Sequence, residues 1–483
     1  MTAPAATPVV VVGGSIAGLT TALALAERGF PVRVLERAEA PPEGPVAKVA
    51  DVWERSTVPQ SGHSHILTSL GVRVLRRRAP WLLEGALADG AQLLDLTRAA
   101  PTGPREPADD DLVALAVRRT VLELLLYQGV RNLPGVTLEH ATTVRSLLLD
   151  PSRTRVTGVV TDAGSPVPAR FVVDATGRRA ASLSWLAQAG APAGQDLTGP
   201  TQLRCFTRFY RLVTPGHTFP GPLNRGNAAG GIWDHCAAVV HPADNATFAI
   251  TLGAPTADPA TDALRTPAGF TAAARLAPYV APWTDERVAT PLTEVRAITM
   301  PPNVLRSTAR PGPRQIAALI PVGDAACVTD PLYGRGMSLA FHHAFQLAEL
   351  LAAHPEPGRE QSERAVRLAD DLYRPWFEQA VHDSAARAAL WRSRAENAPP
   401  PPAPLAPRGR PALAEIAGAA AGDVTVWRGL TRVLMSLNTP GEVFDAADFR
   451  ERVRRAPTPA APAGPRPPTR AELLAALGAE ARH

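Results

Sequence analysis

Apolar and polar positions along the chain follow several rhythms. Val9-Val10-Val11-Val12 is an unbroken β-branched run, the pattern of a strand covered on both faces. The glycine turn Gly13-Gly14-Ser15-Ile16-Ala17-Gly18 follows, and residues 19–28 are helix formers up to Gly29, which suits the left-handed position ending a helix. Val32-Arg33-Val34-Leu35 reads as a second strand closing at Glu36, completing a βαβ unit of about 30 residues. Residues 40–62 are irregular, 63–95 mostly helical and 112–128 helical, with strand-like stretches at 136–149, 154–160 and 167–174. Between 200 and 300, short β runs (206–213, 237–241 and 248–252) alternate with Pro and Gly turns, as in an inserted sheet-bearing domain. A strand at 315–322 and a helix at 338–353 come next, and 412–437 is helical. Proline-rich linkers of polyproline-II type occupy 399–411 and 457–468. Thr469-Arg470-Ala471-Glu472 has capping-box spacing before an apolar stretch at 473–477. The fold class is α/β (α+β): a Rossmann-like unit, an inserted mixed β-sheet domain and a helical C-terminal region.

Composition narrows the function classes. With 483 residues the chain is long enough for several domains and a large buried core. Its 45% apolar and 20% charged residues are those of a globular protein rather than a disordered one. Cys205, Cys236 and Cys327 are too few and too scattered for a disulfide scaffold or a cysteine zinc site, and fit a reducing, cytoplasmic setting. The net charge is +5, yet Lys48 is the sole lysine and the arginines are scattered, so no basic stripe for nucleic acid is visible. No uninterrupted apolar stretch reaches the ~18 residues of a membrane span, and the first apolar run belongs to the βαβ unit rather than to a signal peptide.

The chemistry begins in the turn. Gly13-x-Ser15-x-x-Gly18 between a strand and a helix offers the tight bend and close backbone approach that a pyrophosphate needs, with a helix N-terminus aimed at it. Ser15 stands where a middle glycine is usual, and is small enough to be tolerated there. Glu36, ending the second strand, is placed to accept from ribose hydroxyls. A second constellation lies some 300 residues on: a strand ends at Gly323-Asp324, and a turn containing Pro331, Gly334 and Gly336 opens a helix at Met337.

That pair of half-sites resembles the p-hydroxybenzoate-hydroxylase-like FAD-dependent monooxygenases. In that fold the counterpart of Asp324 bonds a ribitol hydroxyl, and the helix after the glycine turn points its positive end at the flavin edge that turns anionic on reduction, an interaction worth about 0.3–2 kcal/mol. Phe171-Val172-Val173-Asp174-Ala175-Thr176-Gly177-Arg178 is similar to the family's middle fingerprint, with Arg179 and Ala180 departing from its ending. The Asp-Ala-Thr-Gly version, the segment Val58-Pro59-Gln60-Ser61-Gly62-His63-Ser64-His65-Ile66-Leu67 and the run Arg119-Thr120-Val121-Leu122-Glu123 are closest to polyether-type FAD epoxidases. The resemblance covers about three quarters of the chain and implies an FAD-binding domain over 1–185 (with an insertion around 60–110) and 306–355. It implies a substrate-binding sheet over 186–305 and leaves 356–483 as a helical C-terminal region.

The candidate cofactor-binding residues are Gly13, Gly14, Ser15, Ile16, Ala17, Gly18, Glu36 and Arg37 at the first half-site. His65, Arg119, Val144, Thr176 and Gly177 follow, then Gly323, Asp324, Pro331, Gly334, Gly336 and Met337 at the second. Flavin carries the chemistry in this family, so no nucleophilic triad is expected; His63, His65 and Tyr333 are the candidates near the reaction. No third ligand sits at metal spacing beside His63 and His65, and His342 and His343 diverge on their helix, so no metal site is assigned. Trp185, Trp233 and Trp283 fall where they could line a substrate cavity. The implied activity inserts one oxygen atom of O2, through a flavin C4a-hydroperoxide, into an apolar polyketide or terpenoid alkene of secondary metabolism. The reductant is NAD(P)H, used directly or through a separate flavin reductase. A halogenase would need a lysine later in the chain than Lys48 and a Trp-x-Trp segment that is missing. An isoprenoid-type reductase would carry a Tyr-x-Trp-x-Phe-Pro stretch, also missing; a non-enzymatic flavin binder is the remaining reading.

Overall fold

A computed structural model describes residues 7–191, 193–217, 229–313, 315–399, 409–456 and 465–478. Its central sheet is parallel throughout, with strands in the order Leu319–Pro321, Val172–Asp174, Val9–Val12, Val32–Leu35 and Val136–Glu139. The valine run is buried on both faces for a visible reason. Val9 and Val11 enter the core formed with helices Ile16–Ala26, Arg119–Val130 and Gly336–Ala353. Val10 and Val12 face the opposite way, onto Trp185 and a small antiparallel sheet built from Val144–Leu149, Val156–Thr161 and Pro166–Pro168. The register pairs Val12 with both Leu35 and Asp174, and Pro321 with Asp174. Gly13, Glu36, Ala175 and Val322 therefore leave the sheet along one edge, where the strand order reverses, the place at which open α/β sheets bind their ligands.

The second large sheet is antiparallel. Ala229–Ile232, Ala237–Pro242, Thr247–Pro255 and Leu203–Leu212 pair in that order, and Ala289–Pro291 and Arg296–Thr299 both add to the last. Every residue of Thr247–Pro255 is buried; behind the sheet Phe248 stacks on Tyr210 at 5.2 Å and meets Trp283 edge-on at 4.8 Å. Two ties hold this sheet to the parallel one. Buried Asp244, in the turn between two of its strands, accepts from the backbone of Arg118 at 2.8 Å and from its guanidinium at 2.7 Å, just ahead of helix Arg119–Val130. The 37-residue helix Arg359–Ala395 runs past both, placing Tyr373 and Trp376 in one core and Trp391 against Leu203, Cys205 and Ala237 in another. Beyond it, helices Leu413–Ala420 and Val424–Leu434 pack back onto the cofactor half through Arg428, which holds buried Asp109 at 2.7 Å. Helix Arg470–Ala476 returns to the antiparallel sheet's core through Leu473, and the anticipated capping box forms between Thr469 and Glu472.

Several element boundaries differ from the sequence reading. The helix expected over 112–128 is a strand, Val113–Ala116, followed by helix Arg119–Val130, because those first residues pair with Gln92–Asp95. The stretch 63–95 splits into Ser69–Arg78 and Pro80–Ala88, since Pro80 is tolerated in the first turn of a helix but not within one. The strand expected over 315–322 is confined to Leu319–Pro321. The linker at 399–411 lies mostly outside the described residues, as does 457–464 of the second.

Candidate functional site

At the sheet edge the glycine turn is dictated by crowding. Gly13 has φ +108°, and a Cβ there would sit 2.4 Å from the Ala175 carbonyl oxygen; one on Gly18 would sit 1.8 Å from the oxygen of Gly13. Neither position can carry a side chain, which leaves the backbone of the turn and the start of helix Ile16–Ala26 open to a ligand phosphate. Glu36 accepts from the Gly14 amide at 2.6 Å and the Ala38 amide at 2.9 Å, so its carboxylate is fixed beside the turn. Each oxygen keeps a further lone pair for a hydroxyl donor.

Ser15 carries a network that explains its place in the turn. Its hydroxyl donates to Glu123 at 3.0 Å and accepts from Arg119 at 2.9 Å. Glu123 also pairs with Arg55 at 2.8 Å, and both of these side chains are almost fully buried. A glycine at position 15 would leave that buried carboxylate with one donor fewer. Two arginines against one glutamate leave net positive charge beside the turn, the sign a pyrophosphate requires.

The middle fingerprint turns on Asp174, which is fully buried and accepts from the amide and hydroxyl of Thr176 and from the amide of Ser182. It shapes the loop that sends Gly177 into a left-handed bend at φ +68°. Arg178 then reaches Gln60 at 3.2 Å, bringing the Val-Pro-Gln segment over the same edge, while its carbonyl accepts from Arg306 at 2.8 Å. Across the gap, the half-buried carboxyl of Asp324 accepts no hydrogen bond from the described residues. Its pKa is raised by burial, opposed by the charges of Arg119, Arg178 and Arg306. It is therefore an acceptor held in a positive field without a protein donor, the state expected of a group that waits for a ligand hydroxyl. Gly323, at φ +58°, would bring a Cβ to 2.8 Å from Ala17, so the two half-sites touch directly. The turn Pro331–Tyr333 is pinned by buried Asp330, which takes Leu332 N at 3.0 Å, Ser384 Oγ at 2.6 Å and Arg387 at 2.5 Å. Gly334 is left-handed, and helix Gly336–Ala353 opens immediately after it.

Beyond that turn lies a cavity of about 150 Å³. Its walls are the segment 63–66, Cys205, residues 230–232, Val239, His241 and Thr251 of the antiparallel sheet, Met300, the turn 331–334, and Leu434 with Met435. No charged side chain is among these lining residues. His63 and His65 both face it from a loop that follows the short turn Pro59–Gly62, so neither strand nor helix geometry decides their direction. Burial and the neighbouring arginines Arg296 and Arg178 push His63 down to about 4; burial and Arg119 push His65 down to about 3; burial alone takes His241 to about 4. All three rings are neutral at pH 7. Tyr333 presents its ring to the cavity and donates its hydroxyl to Asp383 of the long helix.

The structure brings Gly13, Gly14, Ser15, Gly18, Glu36, Arg119, Thr176, Gly177, Gly323, Asp324 and the 331–336 turn around one edge. Ile16 is buried in the core, Ala17 packs beneath Gly323, and Met337 is buried at the start of its helix. Arg37 points outward, donating to the Thr57 carbonyl at 3.1 Å, and Val144 lies in the apolar layer under Val12 and Leu35. Pro331 lines the cavity with His65. None of the tryptophans lines the cavity among the described residues, contrary to expectation: Trp185 and Trp283 are buried in separate cores, and the carbonyl of Trp233 caps Trp391 Nε1 at 2.9 Å. Cys327 is a buried packing residue, as read. His343 bonds the Tyr373 hydroxyl at 3.2 Å inside the core. Among the described residues there is no cluster of metal-ligating side chains and no helix long and apolar enough to cross a membrane.

Arg55, Arg178, His241 and the pair Leu434 and Met435 were not singled out from the sequence. Arg178 sat within a recognised fingerprint and Glu123 at the end of another; the others carry no local signal.

Comparison with known proteins agrees with this geometry. Residues 6–193 match the family model described as FAD binding domain. A curated relative, Protein Rv3254 of Mycobacterium tuberculosis, is 33% identical over 202 residues, 38% of this chain; the chain spans about two fifths (40%) of that protein's length. Among solved structures, a flavoprotein/dehydrogenase from Cytophaga hutchinsonii is similar at TM-score 0.62 and 14% identity, over 93% of this chain and 99% of that one. The OxyS anhydrotetracycline hydroxylase of Streptomyces rimosus is similar at TM-score 0.56 and 17% identity, over 89% and 76%. The flavin-dependent brominase Bmp2 is similar at TM-score 0.58 and 15% identity, over 93% and 98%. The chain thus carries an FAD-binding domain, and its overall fold is the one these flavoproteins share.

Proposed function

We propose that the chain is an FAD-dependent monooxygenase acting on an apolar small molecule, by epoxidation or hydroxylation. The observation that carries this reading is the largely apolar cavity abutting the turn 331–334, with no charged side chain among its described lining residues. The residues fit FAD: crowded glycines that leave backbone bare, Glu36 beside the turn for the ribose, and Asp324 without a protein donor for the ribitol. The chemistry that bound FAD supplies is hydride acceptance and dioxygen activation.

The chain's own part is placement. The 13–18 turn and Arg119 would hold the pyrophosphate, and the N-terminus of helix Gly336–Ala353 would favour negative charge on the bound group beside it. The apolar residues of the wall would pack against the substrate. Leu434 and Met435 close the cavity from the C-terminal helices, which gives that region a direct share in holding the substrate. NAD(P)H supplies the electrons, at this protein or through a separate reductase. Halogenation of the brominase kind draws on a lysine beside the substrate; here Lys48 is exposed on helix Val46–Val52 and is not among the cavity residues.

The test is anaerobic titration of the FAD-loaded protein with NADPH, then with a chemical reductant, followed by isotopically labelled dioxygen and a panel of apolar alkenes and aromatics. One labelled oxygen atom in product supports the proposal. Reoxidation without labelled product across the panel, or halogenation when halide is added, counts against it.

A further inference from the structure

The antiparallel sheet has two faces with different neighbours. Val239, His241 and Thr251 line the cavity, while the residues beside them in the same strands, Ala238, Val240 and Ile250, belong to a separate apolar core behind the sheet. That rear core is closed by helix Pro267–Leu276, through Phe270, and by helix Arg470–Ala476, through Leu473. Leu474 is buried as well, and Leu477 packs on the same core. Arg470 pairs with buried Asp258 at 2.6 Å. The Asp258 carbonyl in turn accepts from Arg204 at 2.9 Å, one residue before Cys205 of the cavity wall. The other bonds of this segment are its own. The capping box between Thr469 and Glu472 and the ion pair of Arg466 with Glu472 order the helix but hold it to no other element. Its seven residues are far fewer than the ~12–15 a helix needs to persist alone in water. Pro465, Arg466, Pro467, Ala471 and Ala475 are exposed, so the hold on the molecule is a leucine patch and one ion pair. Local opening can overcome a hold of that kind while the rest of a protein stays folded.

We infer that residues 465–478 are a releasable strap on the rear of the cavity sheet. Docked, the strap stiffens the sheet from behind and so fixes the wall that Val239, His241 and Thr251 present in front. Released, it loosens the antiparallel sheet while the parallel sheet and its glycine turns stay folded. The C-terminal region then acts on the cavity from both sides, with Leu434 and Met435 in front and Leu473 behind. The inference concerns the folding of the cavity wall and stands apart from the oxygenase reading.

The test is hydrogen–deuterium exchange of the full-length protein as purified, read by mass spectrometry in low concentrations of denaturant. In the wild type, the amides of 470–476 should be at least about a hundredfold less protected than those of strands Val9–Val12 and Val172–Asp174, and less sensitive to denaturant. Leu473→Ala removes part of the leucine patch, and Arg470→Met leaves Asp258 without its cation. Each should speed exchange in 237–242 and 247–255 by about tenfold or more while 9–12 and 172–174 stay within about twofold of wild type. Ala471→Ser, at an exposed position of the same helix, should change neither sheet. Exchange of 470–476 only together with the parallel strands overturns the inference. So does acceleration in the variants that stays within 470–476, or that spreads equally over both sheets.

Discussion

Glu36 and Asp324 are the carboxylates proposed to meet the cofactor hydroxyls, and the structure ties them differently. Glu36 is tied to two backbone amides, so it holds the turn in addition to its proposed role as a ligand acceptor. Asp324 accepts no hydrogen bond from the described residues, and the proposed reading gives it to the ligand alone. Asp324→Ala should therefore weaken FAD binding by about ten- to a hundredfold, the cost of one charge-assisted hydrogen bond, while leaving thermal stability of the apoprotein unchanged. Glu36→Ala should weaken FAD by a similar factor and also lower the apoprotein's Tm, because Gly14 N and Ala38 N lose their acceptor. Fluorescence titration of apoprotein with FAD, beside melts of the apoproteins, separates the two. At this scale the first half-site was legible because crowding leaves a compositional trace: only glycine fits at 13 and 18. Arg55 and His241 left none, since their importance comes from what tertiary folding sets beside them.

At the scale of elements, the βαβ unit and the helix after the second turn could be read from periodicity and glycine placement. The strand Val113–Ala116 could not, because its partner is a distant segment and its apolar pattern suits a helix equally well. The same non-local logic governs the tie between Arg118 and Asp244. Arg118→Met leaves a fully buried carboxylate without its charge partner and should cost about 3–5 kcal/mol by denaturant unfolding. A similar change at exposed Arg105, whose partner Asp110 is also exposed, should cost well under about 1 kcal/mol. The histidine wall predicts a pH dependence. His63, His65 and His241 have folded-state pKa values depressed to about 4, about 3 and about 4. As pH falls below the unfolded value of about 6.5, the unfolded chain takes up protons that the folded one refuses, so stability declines from there down towards pH 4. The Tm at pH 5 should lie several degrees below that at pH 7.5, and His241→Phe should flatten the decline. An equal decline in that variant would place the proton uptake elsewhere.

On the scale of the whole molecule, the antiparallel sheet, the segment 63–66 and the turn 331–334 wall the cavity, and Leu434 and Met435 complete it from the C-terminal region. Leu434→Trp should fill that space, abolishing oxygenated product while FAD affinity stays within about twofold of wild type, since the ring would sit away from the 13–18 turn; product analysis and flavin titration check the two. The C-terminal contribution was invisible in the sequence because nothing in residues 412–437 distinguishes a helix that lines a cavity from one that only packs. The account depends before all else on a single FAD lying along the edge from Glu36 to Asp324. Cofactor content of the purified protein, measured by chromatography after denaturation and by the visible spectrum before it, tests this directly. The structure predicts about one non-covalent FAD per chain in the wild type and little or none in a Gly13→Val variant, where a side chain would collide with the Ala175 carbonyl. A wild-type chain that neither retains FAD nor takes it up on reconstitution, or a Gly13→Val chain that binds it normally, would contradict the account.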